Sequence, residues 1–312
     1  MILSVSRRTD IPAFYTEWFM NRIHEKYVLT RNPMNYHQVS RTPITPDIVD
    51  FIVFWSKNPS PLLPYLDEIG RDYPFYFQFT LNPYDQDLEP NLPAREVRID
   101  TFRRISENYG KERVIWRYDP IILSQKYDLS WHMDQFERLA DRLSQYTDTC
   151  IFSFVDIYDK IKSNLAAAKY MSITPVQEEN FARCFSMIAS NRQIKLKTCA
   201  EDIELEQFGI EHSCCIDSDL IERIMGYKLS VKKDNTQRSQ CHCAESVDVG
   251  QYNTCKHLCK YCYANYSIAS VKNSYARHDP KSPLLIGNLE ANDKVSNRKV
   301  KSYKQNQLSL FY

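Results

Sequence analysis

The sequence predicts an α/β fold of the (β/α) barrel, TIM-like kind, and three observations carry that expectation. Short β-branched and aromatic runs recur along the chain, helical patterns fill the gaps between them, and polar residues gather where the runs end. Strand followed by helix, repeated, implies parallel strands joined by right-handed crossovers.

The runs are "ILSVS" (2–6), "KYVLT" (26–30), "FIVFW" (51–55), "FYFQFTL" (75–81), "RVIWRY" (113–118), "CIFSFV" (150–155) and "IKLKT" (194–198). Helices are expected over 13–25, 96–109 and 131–145. In the last, Trp131, Met133, Phe136, Leu139, Ala140 and Leu143 fall on one face at helical spacing. Seven such units fit a barrel better than a three-layer sandwich, although both arrangements accommodate them. "SVDVGQY" (246–252) supplies the eighth strand. The barrel is assigned to 1–270, an extension packed on it to 271–290, and a flexible tail to 291–312. That tail carries Lys294, Arg298, Lys299, Lys301 and Lys304 against one acid, Asp293.

Composition narrows the function classes. The 312 residues have a net charge of +1, so the molecule as a whole is no basic glove for nucleic acid. Only six glycines are present, and neither a phosphate-binding GxxxxGK loop nor a GxGxxG fingerprint occurs. No uninterrupted apolar stretch is long enough for a membrane span. The opening "MILSVSRRTD" has no signal-peptide pattern, which reads as a cytoplasmic protein. Ten cysteines in a reducing compartment point to metal, cluster or buried-thiol roles rather than disulfides.

In a parallel barrel the chemistry sits at the C-terminal ends of the strands. Here those ends carry Arg7, Arg8, Thr9 and Asp10; Lys57; Gln78, Thr80 and Asn82; Arg117 and Asp119; Ser153 and Asp156; and Glu201. Turn chemistry accounts for Asn32-Pro33, Asn58-Pro59 and Asn82-Pro83. It does not account for Arg7, Arg8, Lys57 and Arg117, because turns need no long cations. A ring of cations suits an anionic ligand. The catalytic candidates are therefore Arg7, Arg8, Asp10, Lys57, Arg117, Asp119 and Glu201.

The densest signal is "CKHLCKYCYAN" (255–265), which spaces Cys255, Cys259 and Cys262 as C-x3-C-x2-C directly after a strand. Three thiolates from one loop match an iron–sulfur cluster or zinc. A zinc knuckle completed by Cys241, Cys243 or His257 is the competing reading. The spacing, with Tyr261 just before the last cysteine, resembles the cluster loop of the radical S-adenosylmethionine enzymes. "KYCYAN" is especially similar to the spore photoproduct lyase branch. The resemblance implies that Cys255, Cys259 and Cys262 hold a [4Fe–4S] cluster, that S-adenosylmethionine is the cofactor, and that Tyr261 lies near its adenine. It also implies an electron donor such as flavodoxin or ferredoxin.

In that superfamily the loop comes early, after the first strand; here it comes late. A circular permutation reconciles the two, with 246–252 as the family's first strand and "ILSVS" as its second. The family's Gly-Gly-Glu motif, which ends the second strand and contacts the cofactor, is replaced by Arg7-Arg8-Thr9-Asp10. Thr9 and Asp10 are the candidates to take over that contact. Over nearly the whole chain, "SRRTDIP", "VIWRYDPI" and the terminal "CxxxCxYCYAN" also resemble a bacterial family of unknown function with radical-SAM-like C-terminal cysteines.

Cys199, Cys215, Cys241 and Cys243 form a candidate auxiliary site for a second iron–sulfur cluster or zinc, against a reading as buried thiols. Cys150 and Cys184 read as core. The terminal Gln307, Leu308, Ser309, Leu310 and Phe311 resemble the pentapeptide that docks bacterial polymerases and repair proteins on the DNA polymerase sliding clamp. Together these features point to a radical enzyme generating a 5′-deoxyadenosyl radical in DNA repair or nucleic-acid modification. The alternatives are a zinc- or cluster-stabilised nucleic-acid-binding protein, a radical enzyme acting on a small molecule or peptide, and a hydrolase using Asp119, Asp156 and Glu201.

Overall fold

The computed structural model describes residues 1–167, 169–238 and 240–305. Eleven strands occur among them: β1 Ile2–Val5, β2 Tyr27–Asn32, β3 Asn35–Pro43, β4 Phe51–Ser56, β5 Phe75–Thr80, β6 Val114–Ile121, β7 Thr149–Phe154, β8 Lys195–Thr198, β9 Glu211–His212, β10 Val247–Asp248 and β11 Lys294–Asn297. Eight build one sheet in the order β10-β1-β4-β5-β6-β7-β8-β9. Every neighbouring pair in it is parallel. Spatial order follows chain order except that β10, late in the chain, stands first. Its register against β1 sets Leu3 beside Val247 and Ser4 beside Asp248. The fold is thus mixed α/β with a large parallel sheet. The row ends at β10 and β9, and no pairing joins those two edges among the described residues.

Side chains alternate between the two faces of a strand, so each strand serves two cores. On one face Leu3, Val5, Ile52, Phe54, Phe77, Trp116, Tyr118 and Phe152 pack against the helices. Helix Thr16–Glu25 contributes Trp18 and Phe19, Arg95–Tyr109 contributes Phe102 and Ile105, Leu129–Leu143 contributes Phe136 and Leu139, and Pro175–Ser190 contributes Phe181 and Phe185. Phe136 and Phe185 stack with centroids 4.0 Å apart, joining the last two of these helices. Both begin at side-chain caps: Asp128 accepts from the Trp131 amide at 2.8 Å, and Thr174 with Gln177 forms a capping box. The opposite face presents Ile2, Phe51, Val53, Tyr76, Ile115 and Ile151. It is covered not by its own strands but by residues from the stretch 215–244, including Ile216, Leu220, Ile221 and Leu229.

Two expectations need correction. The run at 26–30 is not a strand of the large sheet. It lies in β2, which pairs antiparallel with β3 in a separate three-stranded sheet completed by β11. The reason is local: after Asn32 no helix follows, and the Asn32 side chain accepts from the Met34 amide at 2.9 Å to turn the chain back. The place of that strand in the large sheet is taken by β9, Glu211–His212, two polar residues with no apolar periodicity. The stretch 291–305 is not a tether. Lys294–Asn297 pairs with β3, Arg31 clasps Asp293 with two hydrogen bonds of 2.6 and 2.7 Å, and the Tyr303 amide donates to Asp50 at 2.7 Å. Counting charges missed these contacts because each partner lies some 250 residues away in sequence. The clamp-like residues Gln307, Leu308, Ser309, Leu310 and Phe311 lie outside the described residues. No helix among the described residues is long and apolar enough to cross a membrane.

Candidate functional site

Asp248, in β10, organises the edge from which the site grows. Its carboxylate accepts from Ser4 Oγ at 3.0 Å, Ser6 Oγ at 2.6 Å, the Arg7 amide at 2.8 Å and the Gly250 amide at 2.9 Å. The chain then passes so close to β1 that a Cβ at Gly250 would stand 2.0 Å from Ser6 Oγ and 2.6 Å from Ser6 Cβ. Glycine is required here by space.

The cysteine loop follows at once. The Asn253 amide donates to Ala264 O at 2.9 Å and Asn265 Nδ2 to Cys255 O at 2.8 Å, which closes the loop on itself. Cys259 is buried, and Cys255 and Cys262 are half-buried at their surfaces. Burial pushes all three thiols above the ordinary cysteine range, reinforced at Cys255 by the charge it would share with Cys262 and Cys259. Left alone they are neutral thiols, and a bound metal has to displace their protons.

Two buried charge groups fix this loop to the sheet. Asp10 caps the short helix Ile11–Phe14 by accepting from the Ala13 amide at 3.0 Å. The same carboxylate accepts from Ser56 Oγ at 2.7 Å, from the Lys57 amide at 2.8 Å and from His257 Nε2 of the loop at 2.9 Å. Lys57 Nζ donates to Glu89 Oε1 at 2.9 Å and to Tyr261 Oη at 2.8 Å. Asn82 Nδ2 reaches Tyr261 Oη at 3.2 Å, Tyr261 also donates to Glu89, and Arg98 Nη1 stands 3.7 Å from Glu89 Oε2. Burial works against the Lys57 charge, but Glu89 and Cys259 outweigh it and raise the pKa. Burial likewise opposes the Glu89 charge, yet Lys57 and Arg98 hold that carboxyl below its usual range. Both are therefore ionised at neutral pH. Around the loop, Thr9 Oγ1, Asn82 Oδ1, His257 Nδ1 and Asn265 Oδ1 are buried without a hydrogen-bond partner among the described residues.

The other strand-end candidates divide between this site and its neighbours. Arg8 lies over the Tyr252 ring at 5.4 Å. Arg7 and Arg117 flank the Trp55 ring at 5.0 and 5.7 Å, on the sheet face covered by the stretch 215–244. Arg117 pairs with Asp119 and donates from Nη1 to Cys215 Sγ at 3.0 Å. Cys199, Cys215, Cys241 and Cys243 gather on the same side. Glu201 accepts from the Phe154 amide at 2.9 Å, and burial lifts its pKa to about 8. Asp156 pairs with Arg238 at 2.6 Å near the surface. Asp119, Asp156 and Glu201 thus each engage a different partner. Cys150 is core as expected, whereas Cys184 is only half-buried. Among the described residues no three His, Cys, Asp or Glu side chains already stand arranged to hold a metal.

Sequence reasoning passed over Glu89, Arg98, Asn82 as a partner of Tyr261, and Asp248. A signal existed for two of them. Glu89 sits between Leu88 and Pro90 in a loop, and Asp248 interrupts a short β-branched run; both are acids where apolar or turn residues are the rule. Outside the loop, a depression of about 380 Å³ is lined by Lys126, Lys169 and Lys260 together with Asp87, Ser124 and Tyr127.

Among solved structures, one from Bacteroides thetaiotaomicron provisionally described as an alpha-L-fucosidase matches at 12% identity, over 57% of this chain and 71% of that one. Its TM-score of 0.24 carries no argument about fold or activity. A comparison with curated proteins gives no match. The family model for the domain of unknown function DUF1848 matches residues 2–264, and the chain belongs to that family.

Proposed function

We propose that this protein is a radical S-adenosylmethionine enzyme on a circularly permuted (β/α) barrel, with Cys255, Cys259 and Cys262 as the ligands of a [4Fe–4S] cluster. The observation that carries the reading is the placement of the C-x3-C-x2-C loop. It leaves the C-terminal end of β10, a strand that lies beside β1 as a first strand lies beside a second. The donor set fits: three thiols from one closed loop leave a position on the cluster for a cofactor. Unpaired buried polar atoms on Thr9, Asn82, His257 and Asn265 offer hydrogen bonds to a bound polar ligand.

When bound, the cluster and S-adenosylmethionine would supply one-electron reductive cleavage of the cofactor and radical hydrogen abstraction from the substrate. The chain's own residues bind and orient. Lys57, beside Cys259, favours the thiolate that a cluster needs. Lys57, Glu89 and Asn82 hold the Tyr261 hydroxyl, and so its ring, in one position. Asp10 does the same for His257; it follows β1, the strand this reading takes as the family's second. Arg7, Arg8 and Arg117 offer cations to an anionic substrate group. The Gln307–Phe311 peptide favours a DNA-associated substrate, through docking on a sliding clamp.

The test is purification without oxygen, reconstitution, and determination of iron and sulfide per chain. Alongside it, 5′-deoxyadenosine release is assayed with dithionite and S-adenosylmethionine. About four irons, with release abolished in Cys259→Ala, is the result expected. Zinc in that loop, or iron without cofactor cleavage, overturns the reading in favour of a metal-stabilised nucleic-acid-binding protein. Removal of 307–312 without effect on the cellular phenotype would point to a small-molecule or peptide substrate instead.

A further inference from the structure

Four thiols from three separate stretches meet on the sheet face covered by the stretch 215–244. Cys199 follows β8, Cys215 follows β9, and Cys241 and Cys243 come from the segment leading to β10. Cys199 Sγ and Cys215 Sγ stand 3.0 Å apart, and none of the four is in a disulfide. Cys215, Cys241 and Cys243 lie in one buried cluster, with Cys199 packed against it. The Ile216 amide points at Cys243 Sγ from 3.4 Å.

Two arginines close the group. Arg117 Nη1 donates to Cys215 Sγ at 3.0 Å. Arg7 lies within charge reach of Cys215, Cys241 and Cys243, and its Nη2 is buried with no hydrogen-bond partner among the described residues. A guanidinium keeps its charge in any protein, so placing one buried and one half-buried guanidinium beside a cluster of thiols calls for anionic partners. Asp119 serves Arg117, while Arg7 has Asp234 at 4.0 Å and Asp248 within charge reach. Four thiolates on a divalent ion carry two net negative charges, which Arg7 and Arg117 offset in part while also facing Asp119 and Asp234.

We infer that Cys199, Cys215, Cys241 and Cys243 form a closed tetrathiolate site for one soft divalent cation, zinc by preference, flanked by Arg7 and Arg117. Size separates this from a second iron–sulfur cluster. Tetrahedral sulfurs at ~2.3 Å from zinc lie about 3.8 Å from one another, whereas a four-iron cube holds its cysteine sulfurs on outer corners, much farther apart. Cys199 and Cys215, at 3.0 Å, are spaced on the scale of a single ion. The four thiols are not yet disposed around a common centre, so binding requires side-chain rotation as the protons leave. With four protein ligands and no open position, the site is structural. It ties the ends of β8 and β9 to the segment before β10.

The site stands independently of the radical reading, and one experiment separates them. The full-length protein, reduced and anaerobic, is titrated with Co²⁺ and analysed for zinc and iron as isolated. One zinc per chain and the thiolate-to-cobalt absorption of a tetrahedral site are expected for the wild type and for Cys259→Ala. Cys215→Ser and Cys243→Ser should lose the zinc, and Cys243→His should retain cobalt with a shifted spectrum. Should the serine variants fail to fold, the wild-type cobalt spectrum and the histidine variant still decide. Absence of thiolate–cobalt bands in the wild type, zinc lost in Cys259→Ala, iron in place of zinc at this site, or a Cys199–Cys215 disulfide in the reduced protein would each overturn the inference.

Discussion

Lys57, at the end of β4, and Tyr261, in the cysteine loop, are joined by a 2.8 Å hydrogen bond beneath the surface. The same ammonium pairs with Glu89 at 2.9 Å, so one charge ties the loop to the sheet and neutralises a buried carboxylate. Lys57→Met leaves Glu89 with Arg98, 3.7 Å away, as its charged partner beside the Tyr261 hydroxyl. Denaturant unfolding should show a loss of about 3–5 kcal/mol, the usual penalty for stranding one member of a buried pair. Adding Glu89→Gln should recover part of it. A loss below 1 kcal/mol in the single variant would show that the pair does not hold the loop.

Gly250 gives a test of the β1–β10 edge. An added methyl would stand 2.0 Å from Ser6 Oγ and 2.6 Å from Ser6 Cβ, so turning the hydroxyl aside would break its bond to Asp248 and still leave the Cβ collision. Gly250→Ala should cost about 1–3 kcal/mol by overpacking and should lower metal uptake by the adjoining loop. The double variant Gly250→Ala/Ser6→Gly removes the collision and should regain stability. Equal stability of wild type and Gly250→Ala would contradict the close approach.

His132 supplies a pH dependence away from any metal ligand. It is fully buried, with Nδ1 2.8 Å from the Tyr118 hydroxyl and Nε2 3.1 Å from Ile122 O. Burial lowers its pKa from 6.5 to about 4. A depressed folded-state pKa contributes stability that is complete above the unfolded value and lost as pH falls through the folded one. The window is therefore pH 6.5 down to 4, and the size is about 3 kcal/mol at 1.36 kcal/mol per unit. Thermal unfolding between these pH values should fall more steeply for the wild type than for His132→Phe. Parallel curves would remove His132 from the account.

Arg31 and Asp293 anchor the segment that carries β11. Their two hydrogen bonds, with Arg31 Nη2 also donating to Asn288 O at 2.9 Å, are the charged link between β2 and that segment. Arg31→Ala should speed amide hydrogen exchange across 288–298 while leaving β4 to β7 protected. Unchanged exchange in 288–298 would mean that the β3–β11 ladder holds the segment without the clasp.

The parts of this architecture that could be read from sequence are those with local periodicity. β1, β4, β5, β6, β7 and β8 announce themselves as aromatic or β-branched runs, and helix Leu129–Leu143 by its apolar stripe. The neighbour relation of β10 and β1 was also readable, because a strand-like run immediately precedes the cysteines. β9 was not readable: Glu211 and His212 earn their place from β8, not from their own propensity. Nor was the hairpin of β2 and β3 distinguished from a barrel unit, since a strand's run is the same in either sheet and only the short turn after Asn32 differs. At the site, the thiols and the strand-end cations stand out by residue type. Glu89, Asp248 and Arg98 do not, because their roles arise from partners brought in over long sequence distances.

The pairing of β1 with β10 spans 244 residues. At a synthesis rate of about 5–20 residues per second, β1 leaves the ribosome roughly 12–50 s before the strand that covers its outer edge. Over most of that interval Ile2, Phe51, Val53 and Tyr76 also lack the covering stretch at 215–244. The nascent chain therefore carries an open apolar face and an unpaired strand edge until nearly four-fifths of it has been made, a state prone to sticking. Chains truncated before β10 should consequently accumulate in the insoluble fraction or on chaperones. Slower translation would lengthen that exposure.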